Sequence, residues 1–230
     1  MANAVNSDKY KKKIQDIIPI FQEKNLKDSN EIRFSNTYSI IIDDYAANIG
    51  DYCHKGSYCR FYKDDNILKD WYCVDNSEAF YQIITHQNGK DYLILRQDLY
   101  GYSVLDIENK VIMRFFPEYS LNIGETFIWT KVNYNLENNV LAVSGCYWAC
   151  PDSVQLFNFE NPMNESPKFV DIISCLDGDY DVYDELIFLK WENGNLHLKA
   201  YLVEGKTVEL VITKEQYMNW LSDDKFAKYL

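Results

Sequence analysis

The sequence contains no uninterrupted apolar run that approaches the roughly 20 residues required for a membrane-spanning helix. A basic patch lies near the start, at residues 9–13, but Gln15, Asp16 and Pro19 interrupt the apolar stretch that follows it. A signal peptide requires a continuous apolar core after its basic region. We therefore expect neither a membrane span nor an export signal, and we predict a soluble, cytoplasmic protein.

Basic residues are scarce relative to acidic ones. The chain has 23 Lys and Arg residues against 35 Asp and Glu residues, which gives a formal net charge of -12. Binding to a nucleic-acid backbone is driven largely by the release of its counterions to Lys and Arg. The charge balance therefore predicts that nucleic acid is not a partner, and it favours a basic protein instead.

Histidine is also scarce, with three residues in the chain, so few bases are available for catalysis. His86 precedes a turn and His197 lies in a strand-like run, which leaves His54 as the one plausible base. Because adjacent residues rarely face each other, a thiol nucleophile for His54 would have to be Cys59 or Cys146. No serine elbow, phosphate-binding loop or dinucleotide fingerprint is present. These absences favour a protein that is not an enzyme.

The six cysteines do not have the spacing of a structural zinc site. Cys146 and Cys150 are separated by three residues, which is at the limit for a zinc-binding pair, and Cys53 and Cys59 are too far apart for a second one. In a chain without an export signal, thiols are expected to be reduced. The sequence therefore predicts no metal, no cofactor and no disulfide framework.

Local signals indicate β structure. Aromatic residues make up 16% of the chain, and aromatic side chains pack well on pleated, half-buried surfaces. Asn88-Gly89 and Asn193-Gly194 each lie between two strand-like runs. Asn-Gly is the strongest short hairpin signal because both residues tolerate the positive φ of a type I′ turn. Two hairpins within a mainly β fold are predicted.

Three runs align without gaps and indicate a repeated unit of roughly 50 residues. They are YSVLDIEN at 102–109, VQLFNFEN at 154–161 and VELVITKE at 208–215, and a weaker fourth copy lies at 37–64. This succession of strands and turns resembles the antiparallel blades of β-propellers. The alternative is one long antiparallel meander folded into a β-sandwich or an open barrel.

We expect a single domain over residues 1–230. It would contain a helical segment at 8–27, repeated antiparallel β units at 31–213 and a C-terminal helix at 214–230. The C-terminal helix has its own start signal, since Thr213 can serve as N-cap and Gln216 completes a capping box. Terminal helices of this kind more often cover an exposed sheet edge than carry function.

The third unit carries a longer connection between strands than the second. Cys146–Ser153, CYWACPDS, stands where the second unit has Asp98–Gly101, DLYG, and the connection at 44–57 in the first copy is longer still. Long inserts at one repeat position gather on one face, where binding residues tend to lie. Alternatively, the two aromatic residues of the insert fold back as a hydrophobic plug over the sheet end. The binding interpretation predicts a site lined by Tyr45, Tyr52, His54, Tyr100, Tyr147 and Trp148.

An acidic run at 177–185 has carboxylates at positions 1, 3 and 5 of a calcium loop, but Val182 stands where an EF-hand requires Gly and Phe188 where it requires Glu. An acidic loop steers cations, and tyrosines supply contact area at low entropic cost. The loop is therefore predicted to contact a basic partner through Asp179, Tyr180, Asp181 and Tyr183.

Charge, the acidic loop and the missing catalytic motifs together favour a non-enzymatic protein-binding module. One concrete form is an inhibitor or immunity-type protein that neutralises a basic partner. The alternative is an enzyme, or a protein that binds a small ligand or a carbohydrate, with a site on the loop face at His54, Cys146, Tyr147 and Trp148.

Overall fold

The computed structural model describes residues 2–74, 79–122 and 124–229. About half of these residues lie in four antiparallel β-sheets, and the helices are few and short. The fold is thus mainly β, as the sequence predicts. No helix in the described ranges is long and apolar enough to cross a membrane.

The N-terminal segment is only partly α-helical. Helix α1 spans Asp8–Ile17, and its N-cap Ser7 accepts a hydrogen bond from the backbone N–H of Tyr10. Two 3-10 turns follow, at Ile18–Ile20 and Glu23–Asn25. The first strand begins at Leu26, which pairs with Tyr45, so the predicted start of β structure, at 31, is too late.

Sheet 1 contains β1 (Leu26–Arg33), β2 (Tyr38–Ile49), β3 (Tyr52–Lys63) and β4 (Asn66–Cys73), in that order. β2 and β3 pair along their whole length, from Tyr38 opposite Lys63 to Ile49 opposite Tyr52. The prediction of a long connection at 44–57 is therefore wrong. These residues extend the two strands, and the turn is tight because Gly50 adopts a φ of 61°.

Sheet 2 contains β5 (Tyr81–Thr85), β6 (Asp91–Leu95), β7 (Tyr102–Asp106) and β8 (Val111–Phe115). A 3-10 turn at Glu118–Leu121 leads to sheet 3, formed by β9 (Ile128–Asn135), β10 (Val140–Cys146), β11 (Ser153–Asn158) and β12 (Lys168–Asp171). A 3-10 turn at Ile173–Cys175 and the helical turn α2 (Asp179–Val182) precede sheet 4, formed by β13 (Tyr183–Glu192), β14 (Asn195–Leu202) and β15 (Thr207–Ile212). The three runs that align in the sequence overlap β7, β11 and β15, the third strands of their sheets.

Both predicted Asn-Gly hairpins are present, but with different turns. Asn193 and Gly194 have φ of 52° and 76°, and they form the two-residue turn expected of a type I′ hairpin. At Asn88-Gly89 the glycine alone has a positive φ, and the strands end earlier. The Asn88 side chain accepts a hydrogen bond from Lys90 N–H, at 3.0 Å, and donates one to the Tyr92 hydroxyl, which stabilises a longer loop.

Adjacent sheets pack face to face in chain order. One cluster joins sheets 1 and 2, a second joins sheets 2 and 3, and a third joins sheets 3 and 4. Successive side chains of a strand point to opposite faces of the sheet, so one strand can pack against two sheets. In sheet 2, Leu93 faces sheet 1 and Ile94 faces sheet 3. In sheet 3, Leu141 faces sheet 2 and Ala142 faces sheet 4. Sheets 2 and 3 are therefore buried on both faces, which accounts for their continuous apolar runs.

The two ends of this series differ from its middle. The outer face of sheet 1 is partly covered by the N-terminal segment through Ile17 and Ile20. The outer face of sheet 4 exposes Ile187, Leu189 and Val211. Within the three described ranges, no hydrophobic cluster joins sheet 4 back to sheet 1.

The C-terminal helix begins as predicted but is shorter. Helix α3 spans Lys214–Ser222, and the capping box between Thr213 and Gln216 is formed. The predicted extent of 214–230 is wrong, because a final strand, β16 (Lys228–Tyr229), pairs with β12 at the edge of sheet 3. An ion pair of 2.8 Å between Lys168 and Asp224 holds this tail against the sheet.

Candidate functional site

The insert at 146–153 leaves sheet 3 through a tight turn. β10 ends at Cys146, Ala149 adopts a positive φ of 58°, and Cys150 N–H donates to the Tyr147 carbonyl. Pro151, which has no N–H to donate, follows the turn before β11 begins. The turn sends the two aromatic side chains of the insert in different directions.

Tyr147 folds back onto the core, whereas Trp148 does not. The Tyr147 ring packs edge-on against Phe127, with ring centroids 5.5 Å apart, and its hydroxyl accepts a 3.3 Å hydrogen bond from Gln155 Nε2. Trp148 is 59% exposed. The hydrophobic-plug alternative therefore describes Tyr147, while Trp148 remains available at the surface.

The acidic loop is held close to the end of sheet 3. Gly178 adopts a φ of 92° and starts the helical turn α2, which carries Asp179, Tyr180 and Asp181. The Tyr180 hydroxyl donates a 3.0 Å hydrogen bond to Asp171 Oδ2 at the end of β12. Tyr183 begins β13 and packs against the core between sheets 3 and 4.

The insert and the acidic loop lie on two sides of one cleft, with a volume of about 480 Å³. Tyr147, Cys150, Pro151 and Ser153 line it from the insert, and Tyr180, Tyr183 and Asp184 line it from the acidic loop. Its remaining lining residues are Asp171, Ile173, Ser174 and Lys228. The structure thus brings together two segments about 30 residues apart in the sequence.

Asp171 and Asp184 are the two carboxylates of this cleft, and Asp171 is the buried one, only 6% exposed. Burial raises its pKa above the usual range, because a charged carboxylate loses hydration there. The hydrogen bonds from Tyr180 O–H and Ile173 N–H and the charge of Lys228 oppose this shift without cancelling it. The cleft therefore contains a poorly hydrated carboxylate that a further cation would stabilise.

The tyrosines beside Asp171 remain protonated. Burial raises the pKa of Tyr147 to about 12, and the negative charge of Asp171 adds to that shift. Burial and the same charge raise the pKa of Tyr180. Neutral phenol rings beside a carboxylate offer a negative face to a cation, so ring and carboxylate favour the same kind of ligand.

Neither cysteine of the insert forms a hydrogen bond with a histidine in the part of the chain that the structure describes. All six cysteines are free thiols, and burial raises the pKa of Cys146. His86 contacts the Phe159 carbonyl at 2.9 Å, and His197 lies between Glu192 and Glu209. Among the described residues, no hydrogen bond joins a histidine to a cysteine, and no group of three or more His, Cys, Asp or Glu could hold a metal ion.

The other residues predicted for a binding face lie elsewhere. Tyr52, 76% exposed, and His54 lie near the turn of the β2–β3 hairpin. Tyr45 packs edge-on against Phe21, with ring centroids 5.3 Å apart. Tyr100 precedes β7 and is half-buried beside Tyr10 and Phe116. None of the four lines the cleft.

Sequence reasoning missed Asp171, Gln155 and Lys228. Asp171 and Gln155 face each other in the β11–β12 pair, and each interrupts a run that is otherwise apolar. Polar residues inside buried strands were the available signal. No sequence signal indicated Lys228, because β16, the strand that carries it, was expected to be part of the C-terminal helix.

Comparisons of this chain with protein-family models, with curated proteins and with solved structures each found no match.

Proposed function

We propose that this protein is a non-enzymatic protein-binding module, and that its cleft holds a cationic side chain of a basic partner. The observation that carries the proposal is Asp171, a buried carboxylate in a cleft whose walls are Tyr147, Tyr180 and Tyr183. A Lys or Arg side chain entering the cleft would gain a charged hydrogen bond and contacts with aromatic faces.

The charge of the whole chain supports the same class of partner. A net charge of -12 attracts basic proteins over distances of about a Debye length and repels acidic ones. Asp179 and Asp181, on the exposed turn beside the cleft, add to this field where the partner would arrive. Trp148, which follows Tyr147 on the insert, supplies an exposed aromatic contact.

An inhibitor or immunity-type role is the concrete form of this proposal. Such a protein would cover the basic surface with which a toxin or nuclease binds its own substrate. The six free thiols are in keeping with a reducing, cytoplasmic setting for this role.

We also propose that the four sheets are copies of one unit, stacked as the blades of an open, propeller-like series. The equivalent positions of β7, β11 and β15 and the three clusters between successive sheets support this architecture. In this arrangement the cleft lies where sheets 3 and 4 meet.

The experiment is affinity capture from cells that make the protein, followed by identification of the bound proteins. We expect captured partners to be basic, and their retention to fall as salt rises from low to physiological ionic strength. Asp171→Asn should weaken retention about tenfold, since it removes the buried charge. Asp65→Asn, at the turn between β3 and β4 of sheet 1, is the matched control and should leave retention unchanged.

Two results would overturn the proposal. One is capture of no protein at low ionic strength, or of partners without an excess of basic residues. The other is equal loss of binding in Asp171→Asn and Asp65→Asn, which would mean that the cleft contributes no more than the overall negative charge.

A further inference from the structure

A second cavity, of about 210 Å³, lies between sheets 2 and 3. Tyr102 and Phe115 line it from sheet 2, and Trp129 and Phe169 from sheet 3. Tyr147 lines both this cavity and the acidic cleft. Because Tyr119 and Glu125 are exposed while most of the other lining residues are buried, they mark the opening.

The walls are flat aromatic surfaces. The rings of Tyr102 and Trp129 stack with centroids 4.2 Å apart and planes 6° from parallel. Phe157, behind Trp129 at 4.8 Å, fixes the position of the indole. Because neighbouring rings fix these side chains in place, the cavity is preformed, and its aromatic lining suits another ring.

The cavity also contains hydrogen-bond donors that the protein does not use. Tyr102 is 2% exposed and Trp129 is 3% exposed. Within residues 2–74, 79–122 and 124–229, neither the Tyr102 hydroxyl nor the Trp129 indole N–H forms a hydrogen bond. Burial raises the pKa of Tyr102, so its hydroxyl keeps the proton that it could donate. Neither atom belongs to the fully enclosed unpaired polar atoms of the described residues, so each keeps some accessible surface to which a ligand in the cavity can present an acceptor.

The surrounding charges exclude one class of ligand. Glu125 stands at the opening, and the charge of Glu165 adds to the rise in the pKa of Tyr102. Asp171 acts in the same way on Tyr147. An anion would therefore be repelled from the cavity, whereas a neutral molecule would not.

We propose that this cavity binds a small, neutral aromatic molecule that carries a hydrogen-bond acceptor, with the ring against the aromatic lining and the acceptor at Tyr102 and Trp129. An apolar cavity of about 150 Å³ holds benzene, so about 210 Å³ accommodates one ring with a short substituent. This proposal does not depend on the proposed function of the acidic cleft, although Tyr147 lines both the cavity and the cleft.

Three probes of nearly equal size test the proposal by titration calorimetry. Acetophenone is neutral and has an acceptor, ethylbenzene lacks the acceptor, and benzoate is an anion. We expect acetophenone to bind with a dissociation constant of about 1 mM or tighter, ethylbenzene about fivefold more weakly, and benzoate not measurably. Tyr102→Phe should weaken acetophenone about fivefold and leave ethylbenzene unchanged. Tyr92→Phe, a core tyrosine outside the cavity, is the matched control.

A second readout locates the probe even if a variant fails to fold. The wild-type protein has five Trp indole N–H signals in a nitrogen-proton correlation spectrum. Acetophenone should shift the Trp129 signal, assigned by its loss in Trp129→Phe, more than that of Trp220. The proposal is overturned if neither neutral probe binds, if benzoate binds as tightly as acetophenone, or if the Trp129 signal does not move.

Discussion

The hydroxyl of Tyr180 donates a 3.0 Å hydrogen bond to the carboxylate of Asp171, and this bond ties the acidic loop to the end of sheet 3. Tyr180 is 48% exposed and Asp171 is 6% exposed, so the pair reaches from the surface to the floor of the cleft. An acidic loop would otherwise be pushed outward by its own charges. The tyrosine therefore keeps the loop beside the buried carboxylate that the partner is proposed to reach.

Replacing Asp171 with Asn should change how stability depends on pH. The pKa of Asp171 is raised in the folded state, so the folded protein binds more protons than the unfolded chain at this site. Its contribution to stability is therefore fully present below the unfolded pKa, roughly 3.9, and is lost as pH rises through the higher folded pKa. Asp171→Asn removes the titrating carboxylate, so the variant does not lose this stability as pH rises. Relative to wild type, the variant should be more stable at pH 7 than at pH 4.

Urea unfolding at both pH values measures this difference. Asp177→Asn, an exposed position on the same acidic loop, serves as control and should show no such pH-dependent gain. If the two variants respond alike to pH, the raised pKa of Asp171 is not a significant term in stability.

Neighbouring residues of the insert should differ sharply in their effect on stability. Tyr147→Ala removes a ring that packs against Phe127 and lines both cavities, and we expect it to lower the free energy of unfolding by about 3 kcal/mol. Trp148→Ala should change it by less than about 0.5 kcal/mol, because this side chain is mostly exposed. Chemical denaturation of both variants gives the comparison. Equal changes in the free energy of unfolding would contradict the prediction, since they would mean that both rings are packed or that neither is.

Strand positions could be read from the sequence because they depend on local alternation and turn chemistry. The run at Leu93–Leu95 predicts a strand buried on both faces, and β6 has that position between sheets 1 and 3. The Asn193-Gly194 turn follows from the backbone preferences of its two residues. At 44–57 the same reasoning was wrong, since this segment forms strand only because its two halves pair with each other, with Ala47 opposite His54.

The candidate site was less predictable because it depends on contacts between distant segments. The insert and the acidic loop were each identified, but nothing in either predicts that they meet. The turn that carries Tyr147 and Trp148 includes a positive φ at Ala149, a conformation that alanine rarely adopts, so its shape was not readable from the sequence. Asp171 became important only because β16 and the acidic loop pack around it.

Gly145 should be the least replaceable residue beside the insert. A Cβ at this position would overlap the Ile128 carbonyl oxygen and lie 2.9 Å from the Phe127 ring, at the irregularity where β10 and β9 shift register. We expect Gly145→Ala to lower the free energy of unfolding by about 3 kcal/mol, since the strands would have to separate.

Gly50→Ala is the matched control for this prediction. Gly50 has a φ of 61°, but a Cβ added there would meet no other atom within 4 Å, so the expected cost is about 1 kcal/mol of backbone strain. A similar cost for both variants, measured by thermal and urea unfolding, would show that the close approach at Gly145 is absent in solution.

The cysteines should react with a thiol reagent in an order set by burial. Cys53 and Cys150 are exposed, whereas Cys59 and Cys73 are fully buried. Burial also raises the pKa of Cys59, which lowers the fraction of reactive thiolate. With a chromogenic disulfide at mildly alkaline pH, we expect Cys53→Ser and Cys150→Ser each to remove one thiol from the fast phase. Cys59→Ser should leave the fast phase intact and remove one thiol from the phase seen only on unfolding. Rapid reaction of Cys59 in the folded protein would contradict the packing between sheets 1 and 2.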